Sequence, residues 1–487
     1  MFSVKQRVMS RVKIKDLTSR RGLSRSLSSA RTKTNNSSPA DVTLINLNLM
    51  LTNHSGHFDQ QNYIPLGLLY IASFLEREGY NVEFIDYQLF SQAKAFDVEL
   101  FIQEIGETAK LVGMSCMSNL LPFTILCAKE LKKVRPDCRV VLGGVGPSPV
   151  GREIIKEFPF IDSVVEGEGE LPMLDFLKGK IIPFQPRRIV KDLDSLPLPA
   201  YSLLNIDFYD AKPSIVTSRG CPYRCSFCTE PHNFGGRIRY RSIESVVDEL
   251  ELVHSLSGQT MFLFQDDILT LHRKRFETLL QAFHNLSFPI QWKCFSRVDL
   301  MDEKLMEGMA TSGCVQIKYG VESGSNGTLD RINKGFSIEQ AYRTAKKSVD
   351  YFPSVHASFI WGYPFESTAD VEATLRWASR FEDAGVSVLL FEFSPLPGSD
   401  LYKQFERGLK LNKESYSFYV ITGHEVIDSS GYKIRPELNP IYQLIEKYPR
   451  IFSGFYQYEN MAGFRRRKMA EHYKIGRRTP LRNIYDL

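Results

Sequence analysis

Along the first part of the chain, short apolar runs alternate with stretches of helical spacing. Runs that read as strands fall at Asp41–Leu51, Asn81–Asp86, Leu111–Met117, Arg139–Leu142 and Asp162–Glu166. Between them, Leu66–Gly79 puts Leu68, Leu69, Ala72 and Leu75 on one helical face and stops at Gly79, a C-cap signal. Val98–Lys110, Leu121–Val134, Pro149–Phe158 and Leu171–Leu177 have helical character too. Five strands alternating with five helices predict a doubly wound, Rossmann-like parallel sheet over residues 40–180. Such sheets bind ligands at the carboxyl edge of their strands. The loops there are 53–62, 115–121, 143–148 and 167–170, rich in Gly and Ser, which let a bulky planar ligand approach the backbone. Ser115, Gly143 and Gly144 are the candidate contacts. A phosphate cradle is weakly supported, because neither Gly-x-Gly-x-x-Gly nor a Walker motif is present.

Residues 181–212 contain Pro183, Pro186, Pro197 and Pro199 and read as a linker. Beyond them the alternation resumes. Strands are expected at Ser214–Ser218, Thr260–Phe264, Gln291–Phe295, Cys314–Tyr319, Val355–Trp361 and Val386–Glu392. Helices are expected around Ile243–Leu256, Arg273–Asn285, Glu303–Ser312, Ile338–Tyr351, Thr368–Ala384 and Leu401–Gly408. Six strand–helix units over residues 213–410 predict a partial (β/α)6 barrel, with its site at the carboxyl ends of the strands. Residues 411–487 show no clear period and read as a small C-terminal cap, in which Arg465–Lys468 is a basic run on a solvated face.

Composition changes this picture little. The chain of 487 residues is 43% hydrophobic and 24% charged, ordinary values for two or three globular domains. No apolar run approaches the roughly 20 residues of a membrane span. Charge is more telling. Residues 1–39 hold ten Lys or Arg and one acid, Asp16, for +9; the whole chain is +5, so the remainder is −4, which argues against a nucleic-acid-binding body. The tail reads as disordered and solvated. Ser19-Arg20-Arg21-Gly22-Leu23 looks like a twin-arginine signal, but a polar stretch follows where an apolar region is needed, so export is not expected. A transit peptide fits the tail's composition; a cytoplasmic chain is the favoured reading.

Three of the eight cysteines, Cys221, Cys225 and Cys228, form a Cys-x3-Cys-x2-Cys run after the apolar stretch Pro213–Val216, with Phe227 before the last. Clustered thiols in a large chain read as metal ligands, and soft thiolates bind zinc or an iron–sulfur cluster. Structural zinc wants four ligands, and His232 is the one nearby candidate for a fourth. Three thiolates on a four-iron cluster would leave one iron open, and the spacing differs from ferredoxin runs. Cys116, Cys127, Cys138, Cys294 and Cys314 sit in apolar patterns and read as buried, inert thiols.

The Thr217–Glu230 stretch resembles the cluster loop of the radical S-adenosylmethionine (SAM) enzymes. Ahead of it, Pro65–Ala72, Leu142–Pro147 and Glu166–Glu170 are similar to the cobalamin-binding domain that precedes many radical SAM domains. No Asp-x-His-x-x-Gly is present, so the resemblance implies cobalamin without a histidine ligand on its lower face. It also implies roles at the other strand ends. Asp266 and Asp267 would meet the SAM amino group, though one could be a helix cap. Arg297 would fork the SAM carboxylate or pair with Asp299. Glu322 and Ser323 would bind ribose hydroxyls or the polar end of SAM, unless Glu322 pairs with Arg297. Ile360 and Gly362 lie in a segment similar to the adenine-contacting one. The implied cofactors are a [4Fe-4S] cluster on Cys221, Cys225 and Cys228, SAM and cobalamin. The implied reaction is reductive cleavage of SAM to a 5′-deoxyadenosyl radical, fed by an external one-electron reductant of flavodoxin or ferredoxin type. It would end in methylation of an unactivated carbon of a small-molecule or natural-product intermediate. A radical cyclase or rearrangement enzyme, and a non-catalytic cobalamin or redox sensor, are the alternatives.

Overall fold

The computed structural model describes residues 30–458, apart from 48–49, 55–56, 91–95, 210, 412–424, 428–430 and 434–437. The first unit runs β1 (Arg31–Lys33), β2 (Val42–Asn46), a hairpin of β3 (Met50–His54) and β4 (His57–Gln61), then β5 (Val82–Asp86), β6 (Leu111–Ser115), β7 (Arg139–Gly143), β8 (Ser163–Gly167) and β9 (Phe184–Arg188). Seven of these form one sheet in the order β1-β5-β2-β6-β7-β8-β9, parallel except for β1. Helices at Leu66–Arg77, Val98–Ile105, Leu121–Val134, Gly151–Glu157 and Glu170–Leu177 join the parallel strands. Every residue of β2 and β5 is buried, as expected where helices cover both faces.

The sheet departs from the sequence reading at three places. The run Asp41–Leu51 is not one strand: β2 ends at Asn46 and Met50 opens the hairpin, so 53–62 is mostly paired strand rather than loop. The tail assigned to 1–39 ends earlier, because Arg31–Lys33 adds an antiparallel edge strand. Arg31 is held there by Glu83 (Nε–Oε1 2.9 Å) and the Ile105 carbonyl (2.8 Å). Residues 1–29, with the twin-arginine-like motif, lie outside the described residues, as does Arg465–Lys468. Finally, 181–212 is not a spacer. Phe184–Arg188 becomes β9, and Tyr201 and Tyr209 are buried anchors. The Tyr201 hydroxyl donates to Glu249 (2.6 Å) and that of Tyr209 to Asp86 (2.6 Å), so the segment is fastened to both units.

The second unit holds β10 (Ser214–Ile215), β11 (Ser218–Arg219), β12 (Arg239–Tyr240), β13 (Met261–Phe264), β14 (Gln291–Ser296), β15 (Cys314–Glu322), β16 (Ser354–Trp361) and β17 (Ser387–Glu392). Six of them make a wholly parallel sheet, β10-β13-β14-β15-β16-β17, in the sequence order expected of a partial barrel. Its helices start at side-chain caps, Ser242, Asp302, Ser337, Ser367 and Ser399. Phe264, Phe276 and Phe283 close around Trp292 beneath them, with centroids 5.8–6.2 Å from the indole.

The C-terminal part does more than cap the barrel. β18 (Leu409–Leu411) pairs with β21 (Tyr456–Tyr458), and a small hairpin of β19 (Glu425–Ile427) and β20 (Gly431–Lys433) lies between them in sequence. Tyr448, after the helix Asn439–Lys447, packs edge-on against Phe158 of the first unit at 4.9 Å, while Ser453 Oγ donates to the Pro395 carbonyl (2.7 Å) of the second. Among the described residues no helix is long and apolar enough to cross a membrane.

Asp86 yields a stability prediction. Burial raises its carboxyl from 3.8 to about 6, against the pull of hydrogen bonds from Tyr209, Gln88 and Asn46. A carboxyl whose folded value lies above its unfolded one costs stability at higher pH, and that cost vanishes as pH falls below the unfolded value. Tyr209→Phe removes one of the bonds that hold the value down. The variant is expected to lose about 1–3 kcal/mol in urea unfolding, with a wider gap to wild type above pH 6 than below it.

Candidate active site

The cluster loop hangs from a two-stranded ladder. β11 and β12 pair antiparallel, and residues 220–238 loop out between them. Gly220 has φ +93°, and a Cβ there would collide with the Arg237 carbonyl, so only glycine lets the two arms of the loop close before Cys221. Cys221, Cys225 and Cys228 are free and half-buried. Burial pushes the Cys221 thiol up to about 11 and Cys228 to about 12, so protons must leave when metal binds. Among the described residues no three Cys, His, Asp or Glu side chains converge on a point that would suit a single ion. His232 is turned away, toward Glu166 (3.7 Å).

Neighbouring strand ends clamp the loop. The Arg297 guanidinium lies 3.8 Å over the ring of Tyr223, between the first two cysteines, and is itself held by Asp299 (3.0 Å, twice). The ion pair with Asp299, one of the two roles open to it in the sequence, is formed. The Ser226 amide donates to the Ile332 carbonyl (3.1 Å), and Asn333, at φ +63°, donates from its side chain to the Arg224 carbonyl (3.3 Å). Phe227 sits between Tyr363 (6.2 Å) and the Lys334 ammonium (5.8 Å).

The two aspartates after β13 divide their roles. Asp266 is fully buried and accepts from the Thr217 amide (3.0 Å), Thr217 Oγ1 (2.8 Å) and Ser218 Oγ (2.5 Å), tying the root of the cluster loop to β13. Asp267 opens into a cavity instead, its carboxyl raised to about 6 by burial and by the charge of Asp266. Glu230, which the sequence reading passed over, lines the same cavity and is raised to about 8 by burial and Asp267. Its position two residues past the third cysteine was the available signal.

At the end of β15, Glu322 is one of two non-glycine residues among those described with a left-handed backbone (φ +75°), at a bulge where the register shifts. Its partner is Lys334 (3.2 Å), not Arg297. Ser323 is buried against Thr374 Oγ1 (3.3 Å) and accepts from the Ser325 amide (3.1 Å), so it secures the turn. Ile360 lies on the inner face of β16, opposite in alternation to Phe359, which packs on Phe381. The Gly362 amide, at φ +94°, donates to Glu366 (2.6 Å).

One cavity of about 490 Å3 joins the two units. The first sheet contributes Ser115, Gly143, Gly144 and the 167–170 loop from its carboxyl edge; the second contributes Gly220, Glu230, Asn233 and Asp267. Met117 and Val145 face it with 43% of their surfaces exposed, an apolar rim. Gly144, at φ +95°, would press a Cβ against the Cys116 carbonyl at 2.8 Å, whereas nothing stands within 4 Å of a Cβ on Gly143. Asn233 is buried at the cavity wall with its side-chain amide beside the Glu230 carboxyl. No histidine lines the cavity among the described residues.

A salt-bridge cluster the sequence reading missed seals the cavity's edge. Arg219 of β11 reaches Glu168 (3.3 Å) and Glu170 (2.8 Å), and Arg239 of β12 forks Glu168 at 2.7 and 3.0 Å. Glu168 also accepts from the Val190 amide (2.6 Å).

Comparison with known proteins agrees with this geometry. Residues 215–378 match the radical SAM superfamily and residues 60–177 the B12 binding domain. An uncharacterized methyltransferase of Pyrococcus horikoshii is 31% identical over 363 residues, 70% of this chain and 78% of its own. The anaerobic magnesium-protoporphyrin IX monomethyl ester cyclase of Rubrivivax gelatinosus is 27% identical, over 75% of this chain and 71% of its own. The solved structure of the radical SAM methyltransferase TsrM from Kitasatospora setae, with cobalamin and a [4Fe-4S] cluster bound, shares the fold. Its TM-score is 0.61 at 18% identity, covering 85% of this chain and 89% of that one.

The chain belongs to the B12-binding radical SAM enzyme family. It is a cobalamin-dependent radical SAM enzyme whose cofactors are a [4Fe-4S] cluster, SAM and cobalamin. The residues present fit them: three thiols on a clamped loop for the cluster, and for the corrin a glycine-lined floor and an apolar rim.

Gly143 gives a direct test of where the corrin lies. A Cβ there meets no protein atom within 4 Å, so the fold is expected to survive a side chain that stands in the cavity. In absorbance titrations Gly143→Leu is expected to weaken cobalamin binding at least about tenfold with an unchanged melting temperature. Unchanged affinity would move the corrin away from this loop.

Proposed function

We propose that this enzyme methylates an unactivated carbon of a small-molecule or natural-product intermediate. The observation that carries the reading is the shared cavity, which the carboxyl edge of the first sheet and the cluster loop line together. When bound, the cluster supplies the electron that splits SAM, and cobalamin carries the methyl group. Cys221, Cys225 and Cys228 hold the cluster, and Arg297 acts on it through Tyr223. Asp267 faces the SAM ammonium; Glu322, braced by Lys334, accepts from the ribose hydroxyls. Phe227, Ile360 and Gly362 form the wall against which the adenosyl group lies. Ser115, Gly143 and Gly144 let the corrin rest on backbone. Asp266 and Ser323, both buried and hydrogen-bonded, hold the frame. The small-molecule substrate enters between the two cofactors, where the closed edge excludes water. An external one-electron carrier of flavodoxin or ferredoxin type supplies the reductant.

The Rubrivivax relative, named for a cyclisation, keeps a second reading open: radical ring closure with no methyl transfer. Anaerobic assays on reconstituted protein against candidate intermediates separate the two. Methylation adds one CH2 unit to the product mass; cyclisation does not. Either reading requires 5′-deoxyadenosine, and its release is expected to disappear when Cys221, Cys225 and Cys228 are all changed to Ala. Reconstituted wild-type protein that releases none would leave only a sensing role.

A further inference from the structure

The outer side of the cluster loop carries positive charge that neither the cavity nor the frame uses. The exposed residues of the 220–238 loop are Pro222, Arg224, Gly235 and Arg237. No acid is among them, because Glu230 turns into the cavity wall. Segment 331–335 lies alongside, with Arg331, Asn333 and Gly335 exposed. The Asn333 side chain donates to the Arg224 carbonyl (3.3 Å), and the Ser226 hydroxyl donates to the Arg331 carbonyl (3.5 Å). Arg224 and Arg331 therefore rise from two backbones that touch.

One of the three thiols meets the surface at this place. Cys225 Sγ lies 4.0 Å from the carbonyl of the exposed Asn333. Among the described residues Arg224, Arg237 and Arg331 form no salt bridge. Arg331 stands over the Phe365 ring, its guanidinium 3.7 Å from the centroid. Asp370 feels its charge but is engaged by the Ser325 and Ser367 hydroxyls, and Asp330 is the exposed acid next to it in the chain.

The plain alternative is a set of arginines that merely meet water. Two observations weigh against it. Outside residues 1–39 the chain is net −4, so the cationic flank of this loop runs against the charge of the body that bears it. Arg331 is also held in place by an aromatic face, which lowers the entropy it loses on meeting an anion. A fixed cationic ridge on an acidic body steers and orients a negatively charged partner. We propose that Arg224 and Arg331 form the docking ridge for an acidic one-electron carrier protein of flavodoxin or ferredoxin type, whose electron enters beside Cys225. The inference rests on the reading above, in which an external carrier feeds the cluster. In this step the carrier is oxidised by one electron and the cluster is reduced by one; no atom or proton need cross the interface.

The test is calorimetric titration of the cobalamin- and cluster-loaded chain with an acidic flavodoxin and, separately, a [2Fe-2S] ferredoxin, both oxidised. It is run at about 0.01 M and about 1 M salt, where the Debye length is about 30 and 3 Å. Wild type is expected to bind at least one carrier at low salt and to lose at least about tenfold in affinity at high salt. Arg224→Glu combined with Arg331→Glu is expected to weaken low-salt binding at least about tenfold. Lys133→Glu makes the same kind of charge change on the exposed face of the helix Leu121–Val134 in the first unit, and is expected to bind as wild type does. A second readout is the bleaching of cluster absorbance, by the reduced carrier or by photoreduced deazaflavin, a small uncharged donor. The double variant is expected to bleach slowly with the carrier and at the wild-type rate with deazaflavin. The pair Arg224→Gln and Arg331→Gln replaces the glutamates if these do not load a cluster. The ridge is overturned if neither carrier binds wild type in a salt-dependent way. Equal affinity in wild type and double variant, equal weakening by Lys133→Glu, or slow bleaching with deazaflavin overturns it too. No readout here involves SAM, so a wild-type protein that binds the carrier but releases no 5′-deoxyadenosine would refute the enzymatic reading and leave the docking ridge standing.

Discussion

One buried carboxylate fixes how the two halves of this enzyme meet. Glu168, on the loop after the first sheet's fifth parallel strand, is closed upon by Arg219 and Arg239, the two strands from which the cluster loop hangs. Glu170 takes the other arm of Arg219, and the Tyr70 ring lies 5.0 Å from that guanidinium. Burying so much charge costs desolvation, and such a cluster contributes little net stability compared with apolar packing. What it supplies is geometry: bidentate forks hold both angle and distance. A rotation of one unit against the other would strip partners from charges that water cannot reach.

Everything in the cavity depends on that constraint. The glycine floor belongs to one unit, and Gly220, Glu230 and Asn233 of the cluster loop to the other, and neither encloses the chamber alone. Electrostatic character then changes along the second sheet. Its mouth is acidic, with Asp267 raised by burial and by Asp266 and Glu230 by burial and by Asp267, while its inner wall carries the basic Lys318. Such a gradient orients a polar ligand before any specific contact forms.

The alternation of strand and helix was legible because both sheets are parallel and covered by helices, so each strand is a plain apolar run. The six strands of the second sheet and the lining role of Gly143 and Gly144 could be read for that reason. Pairing between elements distant in sequence could not. Arg31–Lys33 looks like solvated tail until Glu83 is seen beside it, and 181–212 looks like a linker until Phe184–Arg188 is seen to extend the sheet. The Glu166–Glu170 motif was recognisable as a pattern, but Arg219 lies about fifty and Arg239 71 residues beyond Glu168, and nothing local to either points back to it. Asp266 and Asp267 are adjacent and identical in type; only the alternation at the strand end separates the frame from the site.

The central claim is that cobalamin and the iron–sulfur cluster occupy one chamber whose dimensions the Glu168 tie sets. The direct measurement is the electron spin relaxation of bound Co(II) cobalamin with the cluster reduced and paramagnetic. This structure predicts that the reduced cluster speeds Co(II) relaxation in wild type, and that the effect weakens in Glu168→Gln at equal cofactor content. Co(II) relaxation that is the same with the cluster present and with all three cysteines replaced would contradict it.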